Sequence, residues 1–185
     1  MRKTAWLLTL VLLFTGCSGK REELDRAMKL RTSLLAGDCS FDVEITADYG
    51  DELYAFTVSC LGDSRGNLAF TVTSPETIAG ITGVIEQGEG KLTFEDTVLA
   101  IPLLADGQLT PVSAPWILLK TLQGGYLTAA GMEEDLLRLT VQDSYAEDAL
   151  QLDIWLDRED LPVRADVLYD GRRILAMKVT NFQIQ

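Results

Sequence analysis

The chain of 185 residues contains no histidine. That removes the commonest general base and the commonest metal ligand together. No G-x-S-x-G occurs, and without histidine the usual activator of a serine nucleophile is missing. A Ser-Lys dyad is compatible with the composition, but nothing marks one. Gly-rich phosphate loops are absent too, since "EQGEGK" sits between two strand-like runs and reads as a turn. Basic residues are few: 16 Lys and Arg stand against 28 Asp and Glu, for a formal net charge of -12. So acidic a chain is a poor partner for nucleic acid and for anionic lipid surfaces. After Phe14 no run is long and apolar enough to span a bilayer. An enzyme is therefore not expected, and neither a cofactor nor a metal is called for.

The N-terminus has a definite layout. Arg2 and Lys3 give a positive end, Ala5 to Phe14 is an almost unbroken apolar run, and Thr15-Gly16 supplies small residues. That is a secretory signal peptide, too short for a transmembrane helix. Phe14-Thr15-Gly16-Cys17 resembles a bacterial lipobox, with Phe14 where Leu is usual. The resemblance implies a signal peptide over 1–16, a lipid (palmitate among its acyl chains) attached to Cys17, a tether over 17–21 and a single domain over 22–185. Each buried methylene of an acyl chain contributes about 0.8 kcal/mol to membrane attachment. The alternative is an ordinary signal peptide with a chance cysteine. Loss of Arg2 and Lys3 on cleavage makes the remaining chain more acidic still.

Two cysteines are left, Cys39 and Cys60. An exported protein meets oxidising conditions, where such a pair reads as a disulfide rather than a metal site. "CSFDVEITADYGDELYAFTVSC" alternates polar and apolar residues on both sides of "DYGD". A hairpin turning at Tyr49-Gly50 sets Phe41 opposite Val58, Val43 opposite Phe56, Ile45 opposite Tyr54 and Cys39 opposite Cys60. All eight side chains then share one face. Directly opposed Cβ atoms lie about 4.5–5.5 Å apart, near disulfide distance. The alternative is two reduced core cysteines in contact.

Along the rest of the chain the hydrophobic period changes twice. Glu22 to Leu35 reads as an amphipathic helix, with Leu24, Ala27, Met28, Arg31 and Leu34-Leu35 at helical spacing and Gly37 as the stop. "LAFTVTSP", "ITGVIEQ", "GKLTFED" and "VLAIPLL" read as strands, and "SPETIAG" as a short helical turn or loop. "SAPWILLKTLQGG" then reads as a helix, with Ser113 as N-cap, Pro115 in the first turn and Gly124-Gly125 as the stop. Trp116, Ile117, Leu118, Leu119 and Leu122 leave it little polar face, which marks a buried helix. Strands resume to the end, with a tight turn at Asp170-Gly171. The sum is a mainly β (α+β) domain: a strongly curved antiparallel sheet with an N-terminal helix and a buried central helix.

That order of elements is similar to the LolA/LolB-like lipoprotein-carrier fold, which also takes in outer-membrane-lipoprotein-sorting-protein-like and GerS-like lipoproteins. The closing stretch "LQLDIWLDREDLPVRADVLYDGRRILAMKVTNFQI" carries the resemblance, together with "IAGITGVI" and "GKLTFED". The resemblance implies an unclosed β-barrel, its concave side plugged by helices, with an apolar cavity for acyl chains or an apolar peptide segment. Phe41, Val43, Phe56, Trp116, Leu119 and Leu122 are the candidate cavity residues; simple core packing is the alternative for them.

The acidic positions Asp143, Glu147, Asp148, Asp153, Asp157, Glu159 and Asp160 lack EF-hand spacing and read as solvated turns. Paired carboxylates for glycoside hydrolysis are not singled out by spacing in so acidic a chain. Arg172 and Arg173 read as solvated, or as contacts for an acidic partner. The functional expectation is a membrane-anchored bacterial lipoprotein that binds a lipid or a lipidated or apolar protein segment in a half-barrel. Its place is the extracytoplasmic face of the cell membrane, or the outer membrane of a two-membrane cell. The alternative is a protein-interaction module, without a ligand, in envelope signalling or in sporulation and germination.

Overall fold

A computed structural model describes residues 18–48, 53–94, 97–101, 104–105, 108–146 and 149–185. Cys17 and the Tyr49-Gly50 turn lie outside the described residues, as do Glu147 and Asp148. Helix α1 (Ser18–Ala36) comes first and begins inside the stretch read as a tether. Six strands follow: β1 (Cys39–Asp48), β2 (Leu53–Gly62), β3 (Leu68–Ser74), β4 (Thr82–Glu86), β5 (Glu89–Phe94) and β6 (Thr97–Ile101). A small hairpin, β7 (Leu104–Ala105) and β8 (Gln108–Leu109), leads into a 3-10 turn (Pro111–Ser113) and helix α2 (Ala114–Gly124). The chain closes with β9 (Tyr126–Glu133), β10 (Leu136–Gln142), β11 (Gln151–Leu156), β12 (Pro162–Tyr169) and β13 (Arg172–Ile184).

Eleven strands make one antiparallel sheet in the order β6-β5-β4-β3-β2-β1-β13-β12-β11-β10-β9. Consecutive strands pair as hairpins, so the first and second halves of the chain each build half the sheet. The β1–β13 ladder, between residues far apart in sequence, joins them. Alternation decides which side chains face inward: Phe41, Val43 and Ile45 from β1, Phe56, Val58 and Cys60 from β2, Leu137, Leu139 and Val141 from β10. Helix α2 lies on that inner face, in contact with β2 and β10, and α1 packs on α2 and β9.

The mainly-β class, the N-terminal helix, the buried central helix and the unclosed sheet match the sequence reading. The strong curvature does not. The sheet is open, with β6 and β9 at opposite ends. At its β5–β6 end it runs past the helices instead of wrapping round them: Phe94 and Leu99, on the inner face, are 47% and 58% exposed. The reason lies in the ladders. A bulge bends a strand and increases its twist, and register shifts occur in the β1–β13, β2–β3, β9–β10, β11–β12 and β12–β13 pairings. The β3–β4, β4–β5 and β5–β6 ladders have none. Alternation in a sequence assigns faces; it carries no information about where bulges fall.

Candidate functional site

The six residues expected to line a cavity come together, but as a filled core. Phe41, Val43, Phe56, Trp116, Leu119 and Leu122 all belong to one buried cluster. Leu119 sits so close over β2 that a Cβ on Gly62 would come within 2.5 Å of its Cδ2. Trp116 is fixed at the rim by its indole N–H, which donates to the Gly66 carbonyl at 2.9 Å. Each large apolar side chain sealed in this way contributes about 1.5–3 kcal/mol. All six are buried within this one cluster, as core residues are. Ser113 stands at the N-cap position of α2, as expected, but its side chain makes no capping bond to the helix. It ends the 3-10 turn, and its hydroxyl donates back to the Thr110 carbonyl at 2.7 Å.

Two polar side chains hold the helices to one another. Helical spacing puts Arg31 on the apolar face of α1. Its guanidinium reaches the C-terminus of α2, donating to the carbonyls of Leu122 at 2.8 Å and Gly125 at 2.7 Å. A cation there satisfies orphan carbonyls and meets the negative end of the helix dipole. Gln123 is buried, and its amide donates to the carbonyls of Leu34 and Asp63 at 3.1 and 3.0 Å. Nothing local in the sequence marks either residue, because both act on partners distant along the chain. Arg26 pairs with Asp160 at 2.5 Å and pins α1 to the β11–β12 turn.

The hairpin register differs from the expected one by two residues. Cys39 faces Gly62, Cys60 faces Phe41, Val43 faces Val58 and Ile45 faces Phe56. All keep the predicted face, because a two-residue shift preserves side-chain direction. The cysteines become diagonal neighbours, whose separation in a sheet is about 7–8 Å, and both are free buried thiols. The expected disulfide is absent. Burial also raises both thiol pKa values, that of Cys39 to about 11. These are inert core thiols.

The acidic turns behave as expected at Asp143 and Asp157, whose carboxylates accept backbone N–H groups within their own turns. Asp153 does not. It is 4% exposed on the outer side of β11, bonded by Arg138 at 2.7 Å and Thr140 at 2.8 Å. Asp166 is buried next to it in the sheet, under Arg164 at 2.7 Å and Arg173 at 3.5 Å. Trp155 lies between the guanidinium groups of Arg138 and Arg164, 5.3 and 4.1 Å from its ring centre. Arg173 is thus tied to a buried carboxylate, while Arg172 makes a loose, exposed pair with Asp48 at 3.9 Å. Among the described residues no group of three or more His, Cys, Asp or Glu side chains is placed to hold a metal.

Two open surfaces stand out among the described residues. On the inner side, the β5–β6 end of the sheet presents Phe94 (47% exposed) and Leu99, with Leu92 and Ile101 half-buried beside them. Leu92 and Leu99 are register partners and so share a face. On the outer side, a groove of about 520 Å³ crosses β13, β1, β2, β3 and β4.

No known protein family matches the chain, and no curated protein does. Solved structures are similar to it in fold. An uncharacterized conserved protein from Thermus thermophilus aligns with a TM-score of 0.49 at 13% identity, over 89% of this chain and 86% of its own. A LolA superfamily protein from Nitrosomonas europaea gives 0.48 at 8% identity, over 86% and 93%. LprF from Mycobacterium bovis gives 0.43 at 11% identity, over 88% and 93%. Among the described residues, the buried carboxylates Asp153 and Asp166 are committed to ion pairs with Arg138 and Arg164.

Proposed function

We propose that this protein is a membrane-anchored lipoprotein that holds an apolar ligand, a lipid or an apolar segment of another protein, on the inner face of its half-open sheet. The anchor is Cys17, after removal of residues 1–16, and the domain of residues 22–185 works on the extracytoplasmic side of the membrane. One observation carries the reading: Phe94 and Leu99 stand open on the same face that elsewhere is sealed by α2. The ligand site is displaced from the filled core to this uncovered end of the sheet. Native mass spectrometry of protein taken from its host membrane tests the reading, with fatty-acid and lipopeptide probes beside it. A bound apolar species, displaced by the probes and lost in Leu99→Lys, is the expected result. A ligand-free protein that ignores both probes would overturn it.

A second reading is favoured by the filled core itself. With Phe41, Val43 and Leu119 packed shut, the domain serves as an interaction module for an envelope protein and needs no ligand. Co-purification from membranes separates the two: a stoichiometric protein partner without lipid favours the module.

A further inference from the structure

We propose that the outer face of the sheet carries a second, separate site: a trough that binds a neutral oligosaccharide lying across the strands. Two cross-strand rows build it. In the first, Gln183, Ser40, Leu61, Ala69 and Val84 are successive register partners from β13 to β4. In the second, Asp42, Ser59, Thr71 and Thr82 follow one another from β1 to β4. The groove over these rows encloses about 520 Å³. Five strands at the usual spacing of about 4.8 Å give it a length of roughly 20 Å. That suits a short chain of sugar rings better than a single small molecule.

The chemistry of the rows selects the class. Leu61 and Val84 are exposed apolar side chains in the middle of the trough, matching the C–H face of a pyranose ring. The hydroxyls beside them both donate and accept, as sugar hydroxyls do. Asp42 is the one charged side chain in the two rows, in a chain with a net charge of -12. Lys91, the register partner of Val84 on β5, stands just past the groove's end; within the groove the Asp42 carboxylate repels an anion and offers a neutral polyol an acceptor. Asp42 is also held in place: the Ser59 hydroxyl donates to one carboxylate oxygen at 2.6 Å and the Asn181 amide to the other at 2.8 Å. An ionised carboxylate has about four acceptor positions, so capacity is left for a ligand hydroxyl.

The backbone is shaped to deliver that arrangement. Between Ser40 and Asp42 the β1–β13 register shifts, and Asn181 takes the left-handed conformation at φ 54°. Non-glycine residues rarely adopt it. Bulges of this kind re-aim side chains and gather next to functional sites. Here the bulge turns the Asn181 amide outward onto Asp42, while Phe182 goes inward and stacks on Phe41 with ring centres 5.1 Å apart.

Titration of isotope-labelled protein with chitotetraose, cellotetraose and maltotetraose tests the site, read from backbone amide shifts. At least one tetrasaccharide is expected to give saturating shifts confined to β1–β4 and β13. Leu61→Arg, at an exposed position, and Asp42→Ala should each weaken binding about tenfold or more, while Thr73→Val on the same face outside the rows leaves it unchanged. The site is overturned if no tetrasaccharide shifts these residues at millimolar concentration, or if the shifts survive Leu61→Arg. It is equally overturned if a neutral extended peptide saturates the same residues and the sugars do not. The inner-face reading stands or falls separately, since its probes are apolar and report at Leu99.

Discussion

On β1, the inward residues Phe41, Val43 and Ile45 are sealed under the helices; on β5 and β6, Phe94 and Leu99 point the same way and stand open. The two regions belong to one sheet and follow the same alternation. What separates them is cover. Helix α2 is eleven residues long, about 16 Å at 1.5 Å per residue, and it seats against β2 and β10. A sheet of eleven strands is roughly 48 Å wide at the usual spacing, so one short helix cannot cover it all. The difference teaches that the fold's stability and its proposed binding surface are kept apart: the strands under the helices stabilise the domain, and the β5–β6 end is left available.

The largest expected effect tests the covered half. Leu119→Ala should lose about 3 kcal/mol, as core Leu-to-Ala changes do when the site cannot collapse, read as a lower urea midpoint at unchanged slope. Leu99→Ala deletes the same atoms at an exposed position and should stay within about 0.5 kcal/mol. Equal losses at the two sites would erase the contrast. Next in size is the joint between the helices. Arg31→Ala leaves the Leu122 and Gly125 carbonyls without their donor and should cost about 1–2 kcal/mol. Arg31→Lys should recover only part of this, because an ammonium lacks the planar fork that reaches two carbonyls.

A smaller effect depends on pH. The hydrogen bonds from Ser59 and Asn181 hold the Asp42 carboxyl below its ordinary pKa. A depressed native pKa means that the contribution to stability is complete above the unfolded value of about 3.9 and is lost as pH falls through the native one. Asn181→Ala should therefore raise the Asp42 midpoint in an NMR titration and flatten the acid limb of the stability curve. The change should stay below about 1 kcal/mol because the group is open to solvent. An unchanged midpoint would remove Asn181 as the cause.

The contrast also marks how far the sequence could be read. Element types were legible wherever a period was strong: the alternation of β1 and β2, the all-apolar run of α2, the Asp170-Gly171 turn. The inward face of the first hairpin was legible too, since parity survives a register shift of two. The register itself was not, because it depends on a turn whose composition, "DYGDE", admits more than one loop length, and the expected disulfide failed with it. Curvature failed for a related reason: it is set by bulges such as that at Asn181, which no local pattern announces. Asp153 was misread as a solvated turn residue because its partner, Arg138, lies on the neighbouring strand. Core packing of Trp116, Leu119 and Leu122 was legible as an alternative, but the open end of the sheet was not, since burial depends on which strands α2 can reach.

The smallest expected change in stability is the most informative about function. Leu99→Lys places a charge where the side chain is already 58% exposed, and an edge-strand lysine is a common device against unwanted pairing. Folding stability should therefore move by no more than about 0.5 kcal/mol. Amide exchange gives the complementary reading: β5 and β6, with few buried neighbours, should exchange well before β1 and β13 in the wild-type protein. If the open end of the sheet is a binding surface, an apolar probe will slow that exchange in the wild type and leave Leu99→Lys untouched. If the open end is merely incomplete packing, the probe will slow neither. Stability and binding then respond to different halves of one sheet, which is what the uneven cover of α2 requires.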